Sequence, residues 1–184
     1  RLIDCPYRID SRSGEGATMP DTQDQNQDHQ QPDDDHADVR FPPPFIYISF
    51  LVAGILSDSP WIDGQLATMP AMLMGAAVLV IAGMLALKSV PRHRKEGSNV
   101  EPWKPTTKII SDGVYGRSRN PIYVAMALLY IGISIAAGSL AALVYLVPCL
   151  LIIRFYVIGR EEIYLERKFG EEYVAYKGKV RRWF

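Results

Sequence analysis

Polar and apolar positions fall into long blocks along this chain, and the blocks predict its elements. Residues 1–40 contain little that packs, and Thr22–Asp38 is built mainly from Asp, Gln and His, with Pro32 in its middle. Such a segment buries too little apolar surface to offset the entropy of ordering, so a disordered acidic tail is expected over 1–40. From Phe41 the pattern reverses. Two apolar runs, Phe45–Leu56 and Met69–Leu87, flank the polar stretch Ser57–Gln65 with its Asp58, Pro60, Trp61, Asp63 and Gly64. They predict a helical hairpin, with helices at about 44–56 and 69–87, the second long and pure enough to cross a bilayer. Phe41 and the prolines at 42–44 suit a helix start at a membrane interface.

Pro121–Gly159 is apolar apart from Arg154, which is longer than one crossing needs. Gly138-Ser139 interrupts it, dividing it into helices at about 122–137 and 140–158 that must be antiparallel neighbours. Pro148 is expected to kink the second helix, its freed carbonyl satisfied by neighbouring helices. Arg154 either snorkels to the boundary or faces a polar pocket. Ala125, Gly132, Ala136 and Ala137 offer close helix contact. From Arg160 the sequence turns charged, yet Leu165, Phe169, Tyr173 and Tyr176 recur at spacings of four, four and three. That stripe predicts an amphipathic helix at about 160–177, fit to lie at a membrane interface or against the bundle and weakened at Gly170, followed by a basic aromatic end, Arg181, Arg182, Trp183 and Phe184.

The expected fold is therefore an all-α integral membrane bundle of about four transmembrane helices plus a C-terminal amphipathic helix. It occupies residues 41–184 behind the tail. Composition first obscures this, because 48% hydrophobic residues and 20 basic against 20 acidic side chains average to a mean hydropathy of +0.01. The distribution of charge is more informative. No Lys or Arg occurs between Arg40 and Lys88, whereas the 88–120 connection and the C-terminal segment are rich in both. Basic loops stay on the cytoplasmic side, so both termini are expected there, in an inner or cytoplasmic membrane. Zero net charge argues against nucleic acid as a partner. Two distant cysteines and three scattered histidines, His29, His36 and His93, make neither a disulfide framework nor a metal-ligand set. Nothing in residues 1–40 has the pattern of a signal peptide, and Met19 is a candidate natural start.

The topology brings two polar clusters together. Arg119, Asn120, Pro121 and Tyr123 open the third helix at the end where Arg160, Glu161 and Glu162 leave the fourth. Spacing alone leaves two readings open: interfacial anchors that orient helices, or a polar pocket at the membrane surface whose ligand is not named by the residues.

The segment Ser111-Asp112-Gly113-Val114-Tyr115-Gly116-Arg117-Ser118-Arg119-Asn120-Pro121-Ile122-Tyr123 resembles the integral-membrane methyltransferases. So does the Glu161-Glu162 pair that follows a two-helix apolar run. That superfamily includes the isoprenylcysteine carboxyl methyltransferases and the phospholipid N-methyltransferases, and the resemblance covers about residues 88–184. It implies S-adenosylmethionine as methyl donor. Arg119, Asn120, Pro121, Tyr123, Glu161 and Glu162 would bind the cofactor, and Arg119 and Asn120 would be the catalytic candidates. Arg117 and Arg182 would hold an anionic part of a lipidic or prenylated small-molecule substrate drawn from among the membrane lipids.

The carboxyl methyltransferases often have Arg-His-Pro where this chain has Arg119-Asn120-Pro121. Asn hydrogen-bonds but does not titrate near neutral pH, so it is no histidine-like base. The resemblance leaves three readings open: an isoprenylcysteine carboxyl methyltransferase-like enzyme, a methyltransferase for phospholipid amines or other small amphiphiles, and a non-catalytic membrane scaffold. No metal is called for.

Overall fold

The computed structural model describes residues 39, 41–58, 67–95 and 108–183. The expected tail apart from Val39, most of the Ser57–Gln65 connection, residues 96–107 of the connection between the second and third helices, and Phe184 lie outside the described residues.

Helix α1, Pro43–Leu56, starts with proline in its first turn, where a missing N–H costs no helical bond. Helix α2 runs Met69–Lys95. A short 3-10 turn, Gly113–Gly116, precedes helix α3, Pro121–Ala136, which again starts on a proline. Gly138, at φ 67°, makes the reversal that a residue with a Cβ resists. Helix α4, Leu140–Ile152, is then capped by Ser139, whose Oγ accepts from the Ala142 N–H at 3.0 Å. Asp58 Oδ1 adds a second acceptor there, for the Ala141 N–H at 3.2 Å.

Beyond Ile152 the chain stays helical but widens into a π turn over Ile153–Ile158, then tightens again as helix α5, Gly159–Phe169. Leu140–Phe169 is thus one helix of 30 residues. The sequence predicts a separate interfacial helix over 160–177. Instead its first half continues the apolar helix, and the break comes at Gly170, whose φ of 52° lies in the left-handed region. Helix α6, Glu171–Lys179, follows.

The helices pack in pairs, α2 on α3 and α1 on α4, with α3 and α4 joining the pairs. Small residues set both approaches. A Cβ at Gly54 would collide with the Ala142 backbone, and one at Gly75 would stand 2.7 Å from the Gly132 carbonyl. Two tyrosines cross-link the helices: Tyr47 Oη donates to the Tyr123 carbonyl at 3.1 Å, and Tyr130 Oη to the Ala142 carbonyl at 2.9 Å. Val39, at the edge of the expected tail, is buried in the same core.

The outer surface is apolar. Only 11% of the apolar window of α2 is buried, and Leu73, Val80, Ile81 and Leu87 face outward. A soluble domain hides such a helix, whereas lipid solvates it. α2 and Leu140–Phe169 are long and apolar enough to cross a membrane. α1 and α3 are apolar but shorter, at 14 and 16 residues against the ~20 a straight crossing takes. Among the described residues there is no strand.

Candidate functional site

The site forms where α3 begins and α5 leaves the bundle, and the segment after α6 closes it. Pro121 takes the first position of α3 and is buried. Asn120 precedes it at the position where an Asn side chain ordinarily caps the helix, yet it makes no such bond. Its Nδ2 instead donates to the Arg182 carbonyl at 3.0 Å. Ser118, fully buried, donates its Oγ to the same carbonyl at 3.4 Å and accepts from the Asn120 N–H at 3.2 Å. The Arg119 N–H donates to the Arg181 carbonyl at 3.0 Å. The C-terminal segment is therefore held on the loop before α3 by main-chain carbonyls.

This closure carries the Arg182 side chain to Glu162. Its Nε donates to Oε1 at 3.0 Å and its Nη2 to Oε2 at 2.6 Å, a two-pronged pair. Arg119 approaches the same carboxylate, with Nη1 3.1 Å from Oε1. The Arg119 and Glu162 side chains are each 9% exposed, so Glu162 is a buried anion between two cations. The bond to Glu162, more than the surrounding charge, holds the Arg182 guanidinium in its protonated form. Glu161 has a different partner: Tyr123 Oη donates to its Oε1 at 2.6 Å. Neighbouring carboxylates thus serve separate contacts, one tied to two guanidinium groups and one to a phenol.

Tyrosines wall the cluster. Tyr176 Oη donates to the Tyr115 carbonyl at 2.8 Å, docking α6 onto the 3-10 turn. Tyr173 is buried beside Arg119 and Tyr176, its ring centroid 6.1 Å from that of Tyr176. Burial pushes the Tyr176 hydroxyl up to about 12, with Arg119 opposing the rise. Tyr115 and Tyr173 are pushed up as well, chiefly by burial. These phenols stay protonated at neutral pH.

Of the residues singled out in the sequence, Arg119, Asn120, Pro121, Tyr123, Glu161, Glu162 and Arg182 meet at this end. Arg117 is exposed at the end of the 3-10 turn. Sequence reasoning missed Ser118, Tyr173 and Tyr176 as site residues. The two tyrosines belong to the apolar stripe expected at a membrane interface or against the bundle, and they pack on the protein side, Tyr176 on the loop of the site and Tyr173 beside Arg119. Tyr115 lay inside the quoted motif with no role attached. Among the described residues no group of three or more His, Cys, Asp or Glu side chains is placed to hold a metal ion.

The cluster fits a ligand carrying an anionic group. Arg119 Nε is buried without a hydrogen-bond partner, and Nη1, though near Glu162, is not aligned to donate to it. A buried guanidinium with donors to spare is costly unless a ligand engages them.

No solved structure matches the chain. An uncharacterized protein of Haemophilus influenzae is 40% identical over 62 residues, which cover 34% of this chain and 98% of that protein. A model of the family described as phospholipid methyltransferase matches residues 70–172, more than half of the chain, from the start of α2 into α6. The chain belongs to the phospholipid methyltransferase family, within the isoprenylcysteine and phospholipid methyltransferase superfamily of membrane methyltransferases.

Proposed function

We propose that this protein is an S-adenosylmethionine-dependent methyltransferase that acts on the head group of an amphiphilic acceptor at the membrane surface. The observation that carries the reading is the buried Arg119 guanidinium, with an unbonded Nε, between the Tyr123–Glu161 contact and the Glu162–Arg182 pair. The cofactor bears a carboxylate, an ammonium group and ribose hydroxyls. Arg119 suits the first, and Glu161 suits an ammonium or a hydroxyl. When bound, the cofactor supplies an electrophilic methyl group on a sulfonium sulfur.

The protein contributes alignment and exclusion of water. Glu162 and Arg182 fix the tail across the site, and the phenols of Tyr115, Tyr173 and Tyr176 line its wall. For a carboxylate acceptor no side chain has to move a proton, which suits an isoprenylcysteine carboxyl methyltransferase-like reaction and a site whose Asn120 does not titrate. For an amine acceptor a proton must leave, and Glu161, the carboxylate not bound to guanidinium groups, is the one able to take it. The family match by its description favours this second reading, a phospholipid amine. In either case the bundle would cross the inner membrane four times, with both termini and the site in the cytoplasm. The basic residues around Lys88, Arg117, Arg119 and the C-terminal segment support that orientation.

The test offers detergent-purified protein methyl-labelled S-adenosylmethionine with a prenylated cysteine analogue and, separately, a native lipid extract. Base-labile label on the prenylated compound, released as methanol, marks a carboxyl methyl ester. Base-stable label in the lipid extract marks N-methylation. A folded protein that binds no cofactor would sink both.

A further inference from the structure

The π turn lies between the apolar part of the long helix and the two glutamates, and it changes which residues point inward. Up to Ile153 the buried positions of this helix are Ala142, Leu146, Cys149 and Ile153, at spacings of four, three and four. That is the inward stripe of a regular α-helix. Each α-helical residue turns about 100°. Continued without change from Ile153, the helix would return Arg160 to within about 20° of the stripe. Glu161 would stand about 80° from it and Glu162 about 180° away, on the outer face. The structure has the opposite arrangement. Arg160 is exposed and lies over the Tyr156 ring at 4.6 Å, Glu162 is 7% exposed, and Glu161 meets Tyr123.

A π turn closes its hydrogen bonds one residue later than an α turn and so takes in one extra residue. Here it sets back everything after Ile158 by about 100°, which moves Glu161 to the place Arg160 would otherwise take. Val157 and Ile158, adjacent in sequence, are both fully buried, as a widened turn allows. Across it, a Cβ at Gly159 would stand 3.8 Å from the carbonyl of Arg154, five residues back.

We infer that the widened Ile153–Ile158 turn is the register device of the site: by absorbing one residue it brings Glu161 to Tyr123 and Glu162 to Arg119 and Arg182. Its functional weight rests on the reading of this cluster as the cofactor site. The residues of the turn are positioning residues, for they act through the two glutamates.

Three variants test this. Phe155 is 69% exposed, so Phe155→Ala trims an outward side chain and keeps the count. Deleting Phe155 removes the extra residue, and a regular α-helix then carries Glu161 round to the same inward place in seven steps. Inserting one alanine between Gly159 and Arg160 in the otherwise wild-type chain turns both glutamates about 100° further away from their partners. Two quantities are read in detergent for each chain: the Kd for S-adenosylmethionine, and the thermal-shift coupling between Glu162→Gln and Arg182→Gln in a double-mutant cycle.

Phe155→Ala should stay near wild type in both. The deletion should keep the coupling and leave Kd near wild type, because seven α-helical steps bring Glu161 to the place it already holds. The insertion should abolish the coupling and raise Kd by about tenfold to a hundredfold, the loss of one or two charge-assisted contacts. A deletion that does not fold, or that folds and loses coupling and affinity, would overturn the inference, and so would an insertion that keeps both. If wild type binds no S-adenosylmethionine, the proposed function falls, while the coupling still decides the register.

Discussion

Asn120 donates its side-chain amide to the main-chain carbonyl of Arg182 at 3.0 Å, across 62 residues of sequence. The Asn120 side chain is therefore a fastener for the tail. Through it the Arg182 guanidinium reaches Glu162. Asn120→Ala should cost about 1 kcal/mol of stability, one hydrogen bond, and weaken cofactor binding. Hydrogen exchange at residues 180–183 should rise in the variant. Unchanged protection there would show that the tail is held without Asn120.

The two glutamates should separate cleanly. Glu162→Gln leaves the buried Arg119 without its counter-charge and should cost about 3 kcal/mol, read as a lowered Tm in detergent. In Glu161→Gln the amide oxygen still accepts from Tyr123, so the fold should hold while cofactor affinity falls. A Glu161→Gln protein with wild-type affinity would remove Glu161 from the site.

Packing makes a contrast among glycines. Gly54→Leu and Gly75→Leu should each lose about 3 kcal/mol or more, because the α1–α4 and α2–α3 approaches leave no room for a side chain. At Gly83, on the same helix as Gly75, an added methyl would meet nothing within 4 Å. Gly83→Ala should be neutral or gain up to about 1 kcal/mol from helix propensity. Thermal melts of the three variants check the difference.

Alkaline pH should loosen the α6 contact. An unfolded tyrosine ionises near 10, whereas Tyr176 holds its proton up to about 12 in the fold. Between those values the unfolded chain loses a proton that the folded chain keeps, so stability falls as pH rises from about 10 to 12. Tyr176→Phe should lose the bond to the Tyr115 carbonyl, about 1 kcal/mol, and flatten that part of the pH–Tm curve. An equally steep curve in the variant would assign the slope to other phenols.

Much of this architecture is legible in the sequence because it is written in blocks. Apolar runs bounded by prolines and by Gly138-Ser139 mark where α1, α3 and α4 start and where α3 stops, since proline and positive-φ glycine act on the chain locally, whereas α2 runs past its expected end at 87 to Lys95 and the fourth helix past 158 to Phe169. Arg119, Tyr123 and Glu161 are readable as neighbours from topology alone. The π turn is not. Its residues, Ile-Arg-Phe-Tyr-Val-Ile, have no local signature, and its existence is implied only by the mismatch between the inward stripe and the glutamates. The place of Tyr173 and Tyr176 at the site is not legible for a related reason: an apolar stripe on a charged helix looks the same whether lipid or protein covers it. Glu162 and Arg182 are twenty residues apart, and only the break at Gly170 turns the chain back far enough for them to meet.

The tail is fastened through oxygen atoms that every amino acid possesses. The carbonyls of residues 181 and 182 receive the bonds from Ser118, Arg119 and Asn120, so at position 181 the side chain is free to drift while the path of the chain is kept. Relatives aligned letter by letter should look most divergent where their backbones coincide. The invariant to seek in them is the donor set before α3, together with a cation placed to meet the second glutamate.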